Sequence, residues 1–494
     1  MLLRPATRSA GLAILLGLAP GACVRPSVPA PAAQASARAA LEPMPRTSSA
    51  SLAGPPPPGV PPDTPLPPLL HERLENGLEI TMLRRGGVPL VALELVLPVG
   101  RADDGAKPGT ALVCSELLRE HMRTLVPALK VELDQTRYSY SIASSELAEA
   151  MRVLGELAAT PPVSRPEFER VRRRWVEKTR ALGERDGAWA ARAYLYARLY
   201  RLPVGRHPYA AMEASADELR TLTPADCTRH FGRALAPEGA VLVAVGELEP
   251  SEFVRLATVR FGRWRGAKLR RTTSPTPLPP ARLEVALLDR PGATDSVIVL
   301  GTLGPGRAAP DTPALRVALE LVRGRTVTTT FDLHLDGPSL ITLGTQAALD
   351  ATALAAKALL DALGDLRTRA RTDEETQAGV RALVDGFWVR AETNEALARL
   401  FGSLGAAGLE DDTLERERSS LRDVLGRQVK EAAIRHLVEH RLVLVVSGDA
   451  ARLVAPLRHF GPVSVVDPSA GFVVRKSLAE DPTAPLDVGR ERPQ

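Results

Sequence analysis

The sequence predicts an α+β protein made of two homologous domains, each a mainly antiparallel sheet covered by helices. Length is the first reason, because 494 residues are too many for one hydrophobic core and two domains are the ordinary outcome. The second is an internal repeat. "LEITMLRRGGVPLVALELVLPVGRADD", from Leu78, is matched about 205 residues later by "LEVALLDRPGATDSVIVLGTLGPGRAAPD", from Leu283. The third is another matched pair at the far ends of the same units. "LTPADCTRHFGRALAPEGAVLVAVGE" (222–247) aligns with "VLGRQVKEAAIRHLVEHRLVLVVSGD" (424–449) at nearly the same offset, and a steady offset marks a duplication.

The chain opens with "MLLRPATRSAGLAILLGLAPGAC": Arg4 and Arg8, an apolar run from Ala10 to Ala19, then small residues before Cys23. That run is too short to cross a bilayer core of ~30 Å, so residues 1–22 read as an export signal peptide. Small residues ahead of a cysteine resemble a bacterial lipoprotein cleavage site, which makes Cys23 the candidate lipidation residue. An ordinary secretory signal with an incidental cysteine is the other reading. Residues 23–70 are rich in Pro, Ala and Ser and lack a periodic apolar face, as expected of a tether.

The N-terminal domain is expected at 71–265 and the C-terminal domain at 281–475. "GAKLRRTTSPTPLPP" (266–280) joins them as a linker, and 476–494 form a tail. Within each domain the first repeat reads as strand, glycine turn, strand and an arginine-led loop into a helix. "SELAEAMRVLGELAA" and "ALAAKALLDALGDL" carry apolar residues at i, i+3 and i+4, the spacing of a half-buried helix. The closing unit starts a helix at Thr223 and Pro224, an N-cap followed by the proline that suits the first turn. That helix should stop before Pro237, and "AVLVAVGE" then reads as a covered strand.

Composition excludes several functions. A net charge of +5 with interspersed acids leaves no dense basic stripe, and 4% aromatics give few stacking platforms, so no nucleic-acid partner is expected. With Cys23 set aside, only Cys114 and Cys227 remain, too few for a disulfide scaffold, and stability is expected from apolar cores.

One string looks like metal chemistry. His436, Glu439 and His440 spell H-x-x-E-H, the signature of the inverted zincins. The motif works only on a helix, where i, i+4 spacing puts both imidazoles on one face beside a glutamate that polarises the metal-bound water. At the offset of the repeat, Glu439 and His440 fall where Pro237 and Glu238 end the first-copy helix. His436 is thus expected in the last helical turn, with the other two in the turn beyond it. A catalytic zinc needs three protein ligands and an open position, and the acids after His440 lie near strand ends or in the tail. His207 in "HPY" is expected in a packed loop. His71, His230, His334 and His459 have no partner at ligand spacing, and no G-x-S-x-G, P-loop or paired-cysteine zinc motif is present.

The two-domain repeat, the "NGL" opening at Asn76–Leu78, "HPY" at His207–Tyr209 and the "LTPAD…VLVAVGE" closure together resemble the insulinase/pitrilysin family of zinc metallopeptidases, with the mitochondrial processing peptidases among its relatives. The resemblance covers about 75–470. It implies a processing-peptidase-like half-clamshell fold, in which the zinc helix follows the first hairpin, here "GTALVCSELLREHMRTL" (109–125). In that register Leu117 replaces the first zinc histidine, Glu120 matches the catalytic base, His121 the second histidine and Glu177 the third ligand. Leucine donates no lone pair, so these are vestigial counterparts, with no catalytic residue, metal or other cofactor expected. The plainer reading of the same helix has Leu117 facing the core. "LVRGRTVTTTFDLHLDGPSLITLGTQ" (321–346) lacks the family's substrate-gripping Arg and Tyr. "LKVELDQTRYSYSI" lacks the Asn-Ala pair of its substrate-binding edge strand.

The resemblance implies a non-catalytic partner subunit, exported to the bacterial cell envelope and lipid-anchored facing the periplasm. Its partners would be peptides, the membrane through its anchor, and either a catalytically intact sibling or a second copy of itself. The alternative is an active zinc metalloendopeptidase with an atypical site, built from His436 and His440 or from His121, Glu177 and one further ligand.

Overall fold

The computed structural model describes residues 68–122, 124–159, 162–211, 213–266 and 275–486. The export segment, most of the tether with Cys23, and parts of the linker and tail lie outside these residues.

The first sheet contains β1 (Leu70–Arg73), β2 (Glu79–Arg84), β3 (Leu90–Leu97), β4 (Ala128–Val131), β5 (Thr136–Ala143) and β6 (Val241–Gly246), in the order β1-β2-β6-β3-β5-β4. The second contains β7 (Glu284–Asp289), β8 (Asp295–Gly304), β9 (Thr328–Asp332), β10 (Ser339–Ala348), β11 (Val443–Gly448), β12 (Val463–Asp467) and β13 (Val473–Leu478), in the order β13-β12-β7-β11-β8-β10-β9. Each is mixed but mainly antiparallel, the α+β architecture expected from the sequence. The parallel neighbours are β2 with β6, and β7 with both β11 and β12. The repeated stretches hold equivalent places. β11 runs parallel to β7 and antiparallel to β8, as β6 does to β2 and β3.

Seven helices lie before β7: α1 (Thr110–His121), α2 (Leu147–Gly155), α3 (Arg165–Arg185), α4 (Gly187–Leu199), α5 (Ala216–Arg220), α6 (Pro224–Ala234) and α7 (Pro250–Phe261). Seven more follow among the described residues: α8 (Thr312–Val322), α9 (Thr352–Thr368), α10 (Asp373–Arg390), α11 (Asn394–Ala406), α12 (Thr413–Arg422), α13 (Gly426–His436) and α14 (Ala450–Leu457). α6 begins as its sequence dictates. Asp226 accepts hydrogen bonds from the Thr223 amide and hydroxyl, both at 2.8 Å, and Pro224 occupies the first turn. The helix ends at Ala234, short of Pro237.

Each sheet is covered on one face by helices of its own half. Leu78, Leu93, Leu118, Met151 and Phe253 belong to the first such core, and Leu287, Ile298, Leu315, Leu359 and Val429 to the second. The opposite faces are covered by exchange. α4 leaves the first half to pack on β8 and β11, burying Ala191, Leu195 and Leu199 against Ala286, Val443 and Val445. α11 leaves the second half to pack on β3 and β6, burying Leu397, Ala398, Phe401 and Leu404 against Ala92, Val241 and Val243. Asp186 sets up the first exchange. It ends α3 and caps α4, accepting from the amides of Ala188 at 3.1 Å and Trp189 at 3.0 Å, so the chain turns sharply toward the other sheet.

Candidate functional site

A cavity of about 680 Å³ lies between the two halves. Its walls are the two edge strands, β4 of the first sheet (Leu129, Lys130, Val131) and the end of β9 in the second (Phe331, Asp332). Among the described residues β4 pairs only with β5 and β9 only with β10, so each leaves one backbone edge open. The inner end of the cavity is closed by Leu112 and Glu116 of α1 and Trp175 of α3.

α1 reaches this position through its N-terminus. Gly109 takes a left-handed φ of 87°, and an added Cβ would meet Leu219 at 2.3 Å, so only glycine fits there. Asp104 accepts from the amides of Gly109 and Ala111, both at 2.7 Å, and satisfies the first turn. A disulfide between Cys114 and Cys227 ties α1 to α6 on the face away from the cavity. Sequence reading did not pair these cysteines. They are separated by 113 residues, and no local pattern signals such a bond.

The structure places the residues of the expected register as follows. Leu117 is buried in the core of the first half, as the plainer reading of that helix had it. None of Leu117, Glu120, His121 and Glu177 lines the cavity. His121 is exposed at the end of α1 and Glu177 is exposed on α3. The α1 side chains that do face the cavity at four-residue spacing are Leu112 and Glu116, with Ser115 one position before the second.

Opposite them, α3 supplies arginines. Glu116 accepts from Arg119 at 2.6 and 3.1 Å and from Arg174 at 3.0 Å. Arg174 also pairs with Glu120, which Arg170 holds at 2.7 Å. Burial pushes the Glu120 carboxyl up, but Arg174 and Arg170 outweigh it and hold it below the usual range. A leucine, a serine and a glutamate locked between two guanidiniums do not fit a catalytic zinc, which needs three free donors. No step through a metal can be derived at this position.

The H-x-x-E-H string is divided by the end of its helix. α13 stops at His436, and Glu439–Arg441 form a separate single turn. The Nε2 of His436 bonds Asp311 at 2.6 Å, while Glu439 and His440 are exposed. Among the described residues no three His, Cys, Asp or Glu side chains are grouped as a metal would require.

Two histidines sit in an aromatic cluster behind the cavity. His334 lies 4.4 Å from the ring of Tyr209, and His207 lies 5.1 Å from Tyr200. His207 is fully buried, and its Nδ1 accepts from the Tyr209 amide at 3.1 Å, so "HPY" is a packed loop. The Tyr209 hydroxyl donates to Asp134 at 3.0 Å and accepts from the Asp336 amide at 3.1 Å, while Asp134 accepts from the Leu335 amide. This clasp fixes the segment after β9 against the hairpin that carries β4. Sequence reading treated His334 as isolated, because its ring partners Tyr196, Tyr200 and Tyr209 all come from the other half of the chain.

Two sheets, each covered in part by a helix from the other half, with a cleft between them that α1 borders, define the class of fold. Comparison with solved structures gives that class its name. The chain matches the peptidase M16 inactive domain from Pseudomonas fluorescens with a TM-score of 0.67 at 19% identity, over 77% of this chain and 98% of that one. It matches a protease from Helicobacter pylori with a TM-score of 0.66 at 17% identity, over 78% and 100%. A chain of complex III2 from Candida albicans matches with a TM-score of 0.66 at 12% identity, over 77% and 95%. The chain therefore has the fold of the insulinase-type, or M16, peptidases. No protein-family model matches the sequence, and no curated protein matches it.

Proposed function

We propose that this chain is a non-catalytic insulinase-family protein that encloses peptides in its central cleft and partners a catalytically intact sibling. The observation that carries this reading is the inner end of the cleft, where Leu112 and an arginine-locked Glu116 stand in place of metal donors while the cleft stays open. The inactive domain among the structural neighbours supports a role without catalysis. β4, an edge strand on the cavity wall, suits extended peptides, because an open edge offers backbone hydrogen bonds to an added strand. Export through residues 1–22 and lipidation at Cys23 would hold the protein in the bacterial envelope facing the periplasm. The buried Cys114–Cys227 disulfide supports export, since such bonds persist in oxidising compartments.

Zinc content per chain, measured after dialysis against a weak chelator, tests the missing chemistry. A value near zero is expected. Stoichiometric zinc would restore the alternative, an atypical zinc metalloendopeptidase, and His121→Ala against His436→Ala would locate the metal. The partner role predicts that the tagged protein co-purifies with an intact sibling or with a second copy and changes peptide cleavage by that assembly. Failure of both would remove it.

A further inference from the structure

We propose that a second cavity, on the neighbouring face of α4, binds an organic carboxylate that carries an aromatic or apolar body, which goes beyond the reading above. This cavity measures about 600 Å³, a size that suits a small ligand. Trp189, Ala193 and Ala197 line it at four-residue spacing along α4, while Arg192 and Tyr196 of the same helix line the central cleft. The two cavities share only Glu213 in their walls. The two alanines leave the space, and Trp189, Tyr194 and Phe472 give it aromatic sides. Phe472 is held there under strain. In the turn between β12 and β13 its φ of 64° is left-handed, a region that a bulky side chain rarely adopts, and its ring meets Tyr194 edge-on at 5.7 Å.

The walls stay positive once the ion pairs are removed. Four arginines line the cavity, Arg180, Arg198, Arg201 and Arg206, against two acids, Glu213 and Glu218. Both acids are engaged, Glu213 with Arg101 and Glu218 with Arg206, each at 2.6 Å. Arg198 is engaged by Glu284. Arg180 and Arg201 remain. Both are exposed, and neither has an ion pair or a side-chain hydrogen bond among the described residues. A guanidinium offers a carboxylate two parallel donors, and aromatic rings beside it bury an apolar body. Two sources present this chemistry, a free acid and the apolar C-terminal residue of a peptide.

Isothermal titration calorimetry of the full-length protein with 3-phenylpropanoate, its uncharged amide and acetate tests this. 3-Phenylpropanoate should bind roughly tenfold tighter than either, because the amide loses the guanidinium contacts and acetate loses the aromatic ones. Arg180→Gln with Arg201→Gln, both at exposed positions, should bring the acid down to the amide while circular dichroism and Tm stay as in the parent. N-acetylphenylalanine separates the two sources. Tighter binding than 3-phenylpropanoate points to a peptide C-terminus, and equal or weaker binding points to a free acid. Equal binding of the acid and its amide, or of the acid and acetate, would overturn the proposal. So would an unchanged affinity in the folded variant, or no binding of any probe. None of these failures touches the peptide-binding reading of the central cleft.

Discussion

Arg137 carries a charge into the interior of the first sheet. Its guanidinium donates to Glu94 at 3.1 Å, Glu132 at 3.1 Å, the Ser403 hydroxyl at 2.5 Å and the Arg399 carbonyl at 3.2 Å, so it joins β3 and β5 to α11. Burial pushes the Glu94 carboxyl up, and Arg137 opposes that shift. Arg137→Met should cost about 3–5 kcal/mol in urea unfolding, because it strands a buried carboxylate, and adding Glu94→Gln should recover part of the loss. A loss below about 1 kcal/mol would mean that Glu94 finds other solvation. His334 gives a pH signature. Burial is the first cause that lowers its pKa, from 6.5 to about 3, with Arg192 next. The unfolded chain therefore binds a proton that the folded chain refuses between these values. The contribution of His334 is fully present above pH 6.5 and is lost as pH falls, by up to about 1.4 kcal/mol per unit. His230, lowered to about 4, and His207, also lowered, add slope of the same sign, and Asp104, raised to about 7, adds slope of the opposite sign. The check by chemical denaturation is therefore a difference: the stability of the parent minus that of His334→Phe should fall as pH drops from 6.5 to about 5.

At the scale of elements, two features hold the cleft's walls in place. The Cys114–Cys227 bond anchors α1, and replacing both cysteines with alanine should lower stability by about 2–4 kcal/mol, the usual yield of a long closed loop. An unchanged Tm would mean that the surrounding core already fixes the helix. The exchanged helices need small residues at their crossings. A Cβ at Gly402 of α11 would stand 2.8 Å from Val96 and 3.1 Å from the Glu94 carboxylate. Gly402→Val should therefore destabilise by about 1–3 kcal/mol through overpacking, read as a lower urea midpoint. The helices and strands themselves were largely legible. Thr223, Pro224 and Pro237 bracket α6, and the same unit at its repeat offset places the end of α13 at His436, which separates it from His440. The face of α1 that meets the cleft was not legible. An amphipathic helix shows which residues are apolar, but Leu112 and Leu117 are both leucines, and only packing decides which one faces the sheet.

For the whole molecule, exchange of α4 and α11 makes each half depend on the other. Val241, Val243 and Val245 would face water without Phe401 and Leu404, and Ala286, Val443 and Val445 would face water without Leu195. Residues 68–266 or 275–486 expressed alone should therefore be insoluble or molten, while the two co-expressed should associate. The parent should unfold in one calorimetric transition. Two well-separated transitions would show that the crossed helices contribute little to either sheet.

The sequence by itself determined the duplication, the two mainly antiparallel sheets and several of the helices that cover them. Those features follow from apolar periodicity, turn residues and helix caps, which act over a few neighbouring positions. The tertiary structure alone decided which distant side chains meet. Arg174 on Glu116, Asp134 on Tyr209, Cys114 on Cys227 and Lys130 facing Arg192 across the cleft join residues far apart in the chain. Such meetings depend on how helices and sheets pack as bodies, and packing is a property of surfaces that no local spacing encodes.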